Sequence, residues 1–147
     1  MVCANDSGAF GAKLNHVKVP YGGSLSLGNV SNPHWFCRAC RQFNGREAKL
    51  PYDQHWLLAL TAPRLLCIGS ASEDTGAGPW AECLSARYAS PVWELYGLKG
   101  LVEDGPYRIE RPYQEGSVGY HLRRGGHTLS PYDWNRYMDF ADKHLRP

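Results

Sequence analysis

No run of about 18 apolar residues occurs in the 147-residue sequence, so it contains no candidate for a membrane-spanning helix. Charge of either sign is also scarce and dispersed. Sixteen lysines and arginines against fourteen aspartates and glutamates leave a formal net charge of +2 with no long like-charged run, which disfavours a nucleic-acid partner. The five cysteines, at positions 3, 37, 40, 67 and 83, are too few for a disulfide-dense miniprotein, and their odd number leaves one unpaired in any intramolecular scheme. Internal repeats and low-complexity tracts are absent. The first residues lack the basic-then-apolar pattern of a secretory leader, so the compartment is not legible from them.

What is present suits one globular core. A hydrophobic share of 43% over this length predicts a single domain. Aromatics are plentiful: five tryptophans and nine tyrosines would serve either a packed interior or a surface that stacks on sugar rings. Trp35 and Trp56 are expected in the core or in helix packing rather than as sugar platforms.

The chain opens on Val2-Cys3-Ala4, which reads as the end of a buried strand, followed by a corner at Asn5-Asp6-Ser7-Gly8. A central strand needs neighbours on both sides for its backbone hydrogen bonds, so the expectation is that this chain is a fragment of a larger fold. Residues 8 to 32 read as a long irregular segment, and Pro33 to Arg46 as a stretch with one short helix. Asp53 is placed to cap a helix from about Gln54 to Leu60 that Pro63 stops. Leu65-Leu-Cys-Ile68, ending at Gly69, has the continuous apolar character of a parallel strand buried on both faces, and Ser70 to Asp74 form its exit loop. Pro79 opens a helix through about Tyr88, and Pro91 opens another ending at Gly97. After a polar loop through Gly116, Val118, Tyr120 and Leu122 alternate with Gly119, His121 and Arg123 as a strand, which Gly125-Gly126 ends. Ser130 and Asp133 have capping-box spacing around Pro131, and Trp134, Tyr137, Met138, Ala141 and Leu145 form the predicted buried stripe of a final helix. Strands alternating with helices predict a layered α/β fold.

His127 sits on the loop between the last strand and that helix, where a general base can be presented on rigid supports. The words around it carry a resemblance. Pro33-His-Trp-Phe-Cys37, Leu50-Pro-Tyr-Asp-Gln-His55, Leu58-Ala-Leu-Thr-Ala-Pro-Arg64, Tyr120-His-Leu-Arg-Arg-Gly-Gly-His127 and Asp139-Phe-Ala-Asp-Lys-His144 are together similar to the C-terminal part of glucuronoyl esterases, carbohydrate esterase family 15 of the α/β-hydrolase superfamily. The likeness runs from about Cys3 to His144. It implies the C-terminal half of an α/β-hydrolase, a three-layer sandwich with a mostly parallel sheet. The implied reaction is hydrolysis of the ester between 4-O-methyl-glucuronic acid on xylan and an alcohol, by a Ser-His-acid route that needs no cofactor. Members of the family are usually secreted or periplasmic.

In this fold the triad order is nucleophile, acid, histidine, and His127 fits the last place. Asp74 and Asp6, each following a strand, compete to orient it. By the resemblance, fungal members carry a glutamate at the position of Asp6 in a Glu-Ser-Gly word, and many bacterial members an aspartate at that of Asp74. This chain has an acid at both, and Asp74 is favoured. Either could instead be a simple cap, and Glu73 is expected to face solvent. The nucleophile is missing. Gly22-Gly-Ser-Leu-Ser26 has a serine where an elbow needs its second glycine, and Gly69-Ser-Ala-Ser-Glu73 is worse placed. The family's Gly-Cys-Ser-Arg-x-Gly-Lys word is absent, so the serine is expected in an N-terminal half that would be this chain's partner. Glu47 and Trp80 are the implied contacts to the glucuronate. His34, Cys37 and Cys40 recur every three residues, yet a structural zinc site wants four ligands and no second pair follows; redox chemistry at Cys37-Arg-Ala-Cys40 lacks a thioredoxin-like strand leading into it. The competing readings are a non-catalytic remnant or carbohydrate-binding pseudoenzyme and, behind it, a small zinc-stabilised interaction module.

Overall fold

The computed structural model describes residues 1–6, 16, 23–104 and 107–146. The Ser7-Gly8 corner, the rest of the stretch to residue 22 apart from His16, and residues 105–106 of the polar loop lie outside the described residues. Three strands, β1 (Val2–Asn5), β2 (Leu66–Ala71) and β3 (Val118–Arg123), form a parallel sheet in the order β1-β2-β3. The register sets Ala4 beside Ile68 and Ile68 beside Tyr120. Successive side chains alternate between faces, and both faces are covered over β2 and β3, whereas Val2 and Cys3 of β1, expected to be buried, are exposed. Leu66, Ile68, Val118, Tyr120 and Leu122 pack on one side against Leu58, Cys83, Ala86 and Trp93. These partners come from α2 (His55–Ala59), α3 (Pro79–Ala89) and α4 (Pro91–Glu94). On the other side Cys67 meets Tyr137 and Phe140 of α5 (Pro131–Leu145). The result is an α/β/α sandwich, in line with the expected fold class.

β2 runs two residues past the expected end at Gly69, because that glycine lies inside the strand. A Cβ there would meet His121 Nε2 and Tyr137 Oη, each at 2.6 Å, so the absent side chain makes room for two buried rings. Gly125, with φ +96°, does supply the turn after β3. The capping box of α5 forms as expected, but its buried stripe is rotated: Asp133, Tyr137 and Phe140 face inward while Trp134, Met138 and Leu145 are exposed. Asp133 decides the rotation, since His121, Arg123 and Ser130 all bond to it.

Three further expectations are corrected. A helix, α1 (Leu25–Ser31), occupies part of the supposedly irregular segment; Ser24 Oγ accepts from Leu27 N at 3.0 Å, and Gly28 gives the Phe36 ring its seat. The cap position of α2 falls on Gln54, one residue later than expected, and the Asp53 carboxylate accepts from the backbone N and ring Nδ1 of His16, at 3.2 and 2.8 Å. Trp35 and Trp56 are not core residues: they are 58% and 56% exposed and, with Tyr52, His55, Tyr88 and Val92, line a cavity of about 980 Å³. α2 is too short to bury both of its sides, and Leu58 takes the inward one. The short 3-10 helix Arg38–Phe43 matches the expected turn of helix between Pro33 and Arg46.

Candidate active site

The carboxyl ends of parallel strands are where α/β sheets collect functional groups, and all three strands here deliver one. Asp6 follows β1, Asp74 lies on the loop after β2, and His127 lies on the loop after β3. His127 Nδ1 is 2.7 Å from Asp74 Oδ2. With a carboxylate as partner, Nδ1 is the donor, which leaves Nε2 with its lone pair outward on a ring that is 68% exposed. Asp74 is itself fixed: its Oδ1 accepts from Ala77 N at 3.1 Å, and its side chain is only 12% exposed.

Asp6 leaves β1 with φ +29°, a conformation that aspartate tolerates better than most residues, and this turns its carboxylate under the histidine loop. Its Oδ2 accepts from Thr128 N at 2.8 Å and from Arg123 Nη2 at 2.5 Å, while Oδ1 is buried with no hydrogen bond among the described residues. One ligand-type atom from each of Asp6, Asp74 and His127 lies within 4.8 Å of the other two. Burial raises the Asp6 carboxyl above its ordinary value and the Asp74 charge adds to this; the Thr128 N–H and Arg123 pull the other way.

Beneath the loop lies a buried ion cluster that the sequence pattern does not announce. Arg123, on the α5 side of β3, donates Nε to Asp133 Oδ2 at 2.7 Å and Nη1 to the Gly126 carbonyl at 2.9 Å, and it also bonds the Thr128 carbonyl. It therefore pins the backbone on both sides of His127. Asp133 accepts further from His121 Nε2 at 2.9 Å and from Ser130 N and Oγ at 2.8 and 2.7 Å. Burial alone would push this carboxyl up, but the bonds from His121, Ser130 and Arg123 outweigh it and hold the group at about 2. The only hint in the sequence is a histidine and an arginine on one face of a strand pattern whose other face is apolar, with a cap-box aspartate ten residues after the arginine.

Glu47 and Trp80 are not joined to this cluster by a hydrogen bond or ion pair. Glu47 binds the hydroxyl and backbone N–H of Ser26, and the Ser26 bond holds its carboxyl below the usual range. Trp80 begins α3, just beyond the Asp74 loop, and tilts against Tyr107 at 5.0 Å between centroids. Ser26, Ser70, Ser90 and Ser130 direct their hydroxyls to Glu47, Glu82, the Ala86 carbonyl and Asp133. Glu73 is exposed. Two carboxylates and an imidazole could hold a divalent cation, whereas His34, Cys37 and Cys40 form no three-ligand group among the described residues. His34 stands edge-on to Trp35 instead.

A family model described as "Glucuronyl esterase, fungi" matches residues 6–97, a span that includes both aspartates. Carbohydrate esterase MZ0003, from an unknown prokaryotic organism, is 40% identical over 145 residues, 99% of this chain. Among solved structures, a promiscuous CE15 esterase from a marine bacterial metagenome superposes with a TM-score of 0.80 at 42% identity, covering 84% of this chain and 31% of its own. A glucuronoyl esterase from Solibacter usitatus gives a TM-score of 0.75 at 42% identity, with 83% and 31% covered. The chain spans 33% of the length of the curated relative it matches. With the family model matched over more than half of the chain, the chain belongs to the glucuronoyl esterase family, carbohydrate esterase family 15.

Proposed function

We propose that this chain supplies the histidine and acid of a serine-type carboxylic ester hydrolase acting on glucuronate esters of xylan. The observation that carries the reading is the 2.7 Å contact between His127 Nδ1 and Asp74 Oδ2 at the ends of neighbouring parallel strands. In this mechanism His127 Nε2 takes the proton of a serine hydroxyl as its oxygen attacks the ester carbonyl. The same nitrogen returns that proton to the leaving alcohol, and in the second half-reaction it activates water to release the glucuronate. Asp74 holds the imidazole in the Nδ1–H tautomer and stabilises the imidazolium. Asp6, bonded to Thr128 N, anchors the histidine loop and adds a second negative charge nearby. Glu47 and Trp80 are proposed to contact the sugar, Trp80 because its exposed ring stands in the first turn of the helix that follows the acid loop.

The nucleophile belongs to a segment outside these 147 residues, which we read as the C-terminal portion of a single α/β-hydrolase domain. No Gly-x-Ser-x-Gly elbow occurs in the sequence, so the chain alone is expected not to hydrolyse a methyl glucuronate ester. In the protein that contains the serine, Asp74→Asn is expected to lower kcat by about 10³–10⁴, the scale of a lost tautomer lock, and Asp6→Asn by much less. Equal losses in the two variants, or full activity in His127→Ala, would refute the assignment.

A further inference from the structure

The one motif that the esterase reading leaves unused is Cys37-Arg-Ala-Cys40. We propose that Cys37 and Cys40 form a reversible intramolecular disulfide, closed by exchange with a small-molecule disulfide and opened by excess thiol.

The geometry is already close to bonding. The two Sγ atoms are 3.6 Å apart, held there by the i,i+3 bond from Cys40 N to the Cys37 carbonyl at 3.0 Å that starts the 3-10 helix. Closing to a bonded distance of about 2 Å needs a shift of about 1.5 Å, which side-chain rotation at an accessible turn can supply. The turn is anchored from both flanks. Asn29 Nδ2 donates to Asn44 Oδ1 at 2.6 Å, Gly45 N donates to Ser26 Oγ at 2.7 Å, and Arg41 Nη2 reaches the Pro33 carbonyl at 3.3 Å. The thiols are thus presented by folded structure, not by chance proximity in a loose loop.

The two sulfurs also differ in role. Cys37 is exposed, and hydrogen bonds from the Cys40 thiol and from neighbouring backbone N–H groups lower it below an ordinary thiol; burial raises Cys40. The Cys37 thiolate is therefore the attacking group. It attacks one sulfur of the small disulfide, forming a mixed disulfide and releasing one thiolate. Cys40, on losing its proton, attacks Cys37 Sγ and expels the second thiol. One disulfide is reduced to two thiols while the two cysteines are oxidised to one cystine, so the electrons balance. The other thiols stand apart: burial pushes Cys67 and Cys83 far up and out of reach of reagent, and Cys3 is also raised by burial. Cys40 Sγ lies 4.0 Å from Tyr52 Oη, and Trp35, Phe36 and Tyr52 all line the 980 Å³ cavity, so the bond would stiffen one wall of it.

The test takes the full reduced chain, incubates it with oxidised glutathione near neutral pH, quenches with acid and counts thiols in denaturant. The expected titre falls from five to three, with a Cys37–Cys40 cystine in the peptide map. Cys40→Ser is expected to trap one glutathione on Cys37, and limiting iodoacetamide to label Cys37 before Cys40 in native buffer but not in urea. Cys67 and Cys83, silent in the same native sample, report that the core is folded. A titre that stays at five, a Cys3–Cys67 cystine in its place, or equal native labelling of Cys37 and Cys40 would overturn the proposal.

Discussion

Replacing Arg123 with methionine tests whether the ion cluster under the histidine loop holds the sheet ends together. Arg123 is 3% exposed and bonds two carboxylates, Asp6 and Asp133, whose side chains are 2% and 0% exposed. Methionine fills similar volume but leaves both carboxylates without a cation and the Gly126 and Thr128 carbonyls without that donor. Removing one partner of a buried pair costs about 3–5 kcal/mol, chiefly for the uncompensated charge that remains. Asp133 keeps its bonds from His121 and Ser130, and Asp6 keeps that from Thr128, which places the expectation at the lower end of that range. With a urea slope of roughly 1–3 kcal/mol per molar for a chain of this size, the unfolding midpoint should fall by about 1–3 M. Circular dichroism against urea reads it directly. Arg87→Ala, which breaks an exposed pair with Glu103, is the control and should cost less than about 1 kcal/mol. Adding Asp6→Asn and Asp133→Asn to Arg123→Met should recover part of the loss, because no buried charge is then unpaired. A midpoint shift in Arg123→Met no larger than in Arg87→Ala would refute the argument.

Acid titration gives a second check. Asp133 is lowered from 3.8 to about 2, so it contributes roughly 2 kcal/mol above pH 4, lost as the pH falls through about 2; Asp133→Asn should flatten that limb of a stability-versus-pH curve. Asp6 works with the opposite sign, since its folded value is raised: the folded state binds the proton more tightly, and stability declines as pH rises from 3.8 through that raised value, a decline that Asp6→Asn should remove. Gly69→Ala should cost about 1–3 kcal/mol in the same urea assay, because its methyl group collides with His121 and Tyr137, and a neutral outcome would mean those rings can move aside.

The elements that were legible in the sequence are those fixed by strong local chemistry. β2 announces itself by an apolar run, α5 by a capping box whose two bonds both form, and the turn before His127 by Gly125. The pairing of His127 with Asp74 joins residues 53 apart, and only the order of strand-end loops and the family resemblance point to it. Part of what the sequence hides depends on tertiary charge. Helical periodicity places Trp134 inward and leaves Asp133 as a cap, whereas a buried arginine and histidine on β3 recruit that aspartate and turn the helix about its axis. Trp35 and Trp56 were misplaced because a large apolar side chain carries no sign of which surface it will line. α1 escaped notice since a seven-residue helix containing Gly28 has too few turns to show a period.

The two aspartates at the strand ends are therefore not interchangeable, although the sequence offers both as partners of His127 and favours Asp74 only by a little. Asp74 has one oxygen on Ala77 N and the other on the imidazole, so its geometry serves His127. Asp6 spends the same oxygen on Arg123 and on Thr128 N, and its free oxygen is sealed from solvent. A proton arriving on His127 would find Asp74 in contact and Asp6 within a few ångströms, where solvent around the exposed ring screens such a pair to about 1 kcal/mol or less. Arg123 offsets part of the Asp6 charge, so Asp6 adds less to the imidazolium than its distance suggests. In the proposed mechanism the direct partner orients and stabilises the imidazole, while the other acid ties β1 to the histidine loop through Thr128 N. Losing Asp6 should thus be read mainly in stability and losing Asp74 mainly in turnover, and a variant pair showing the reverse would exchange the two roles.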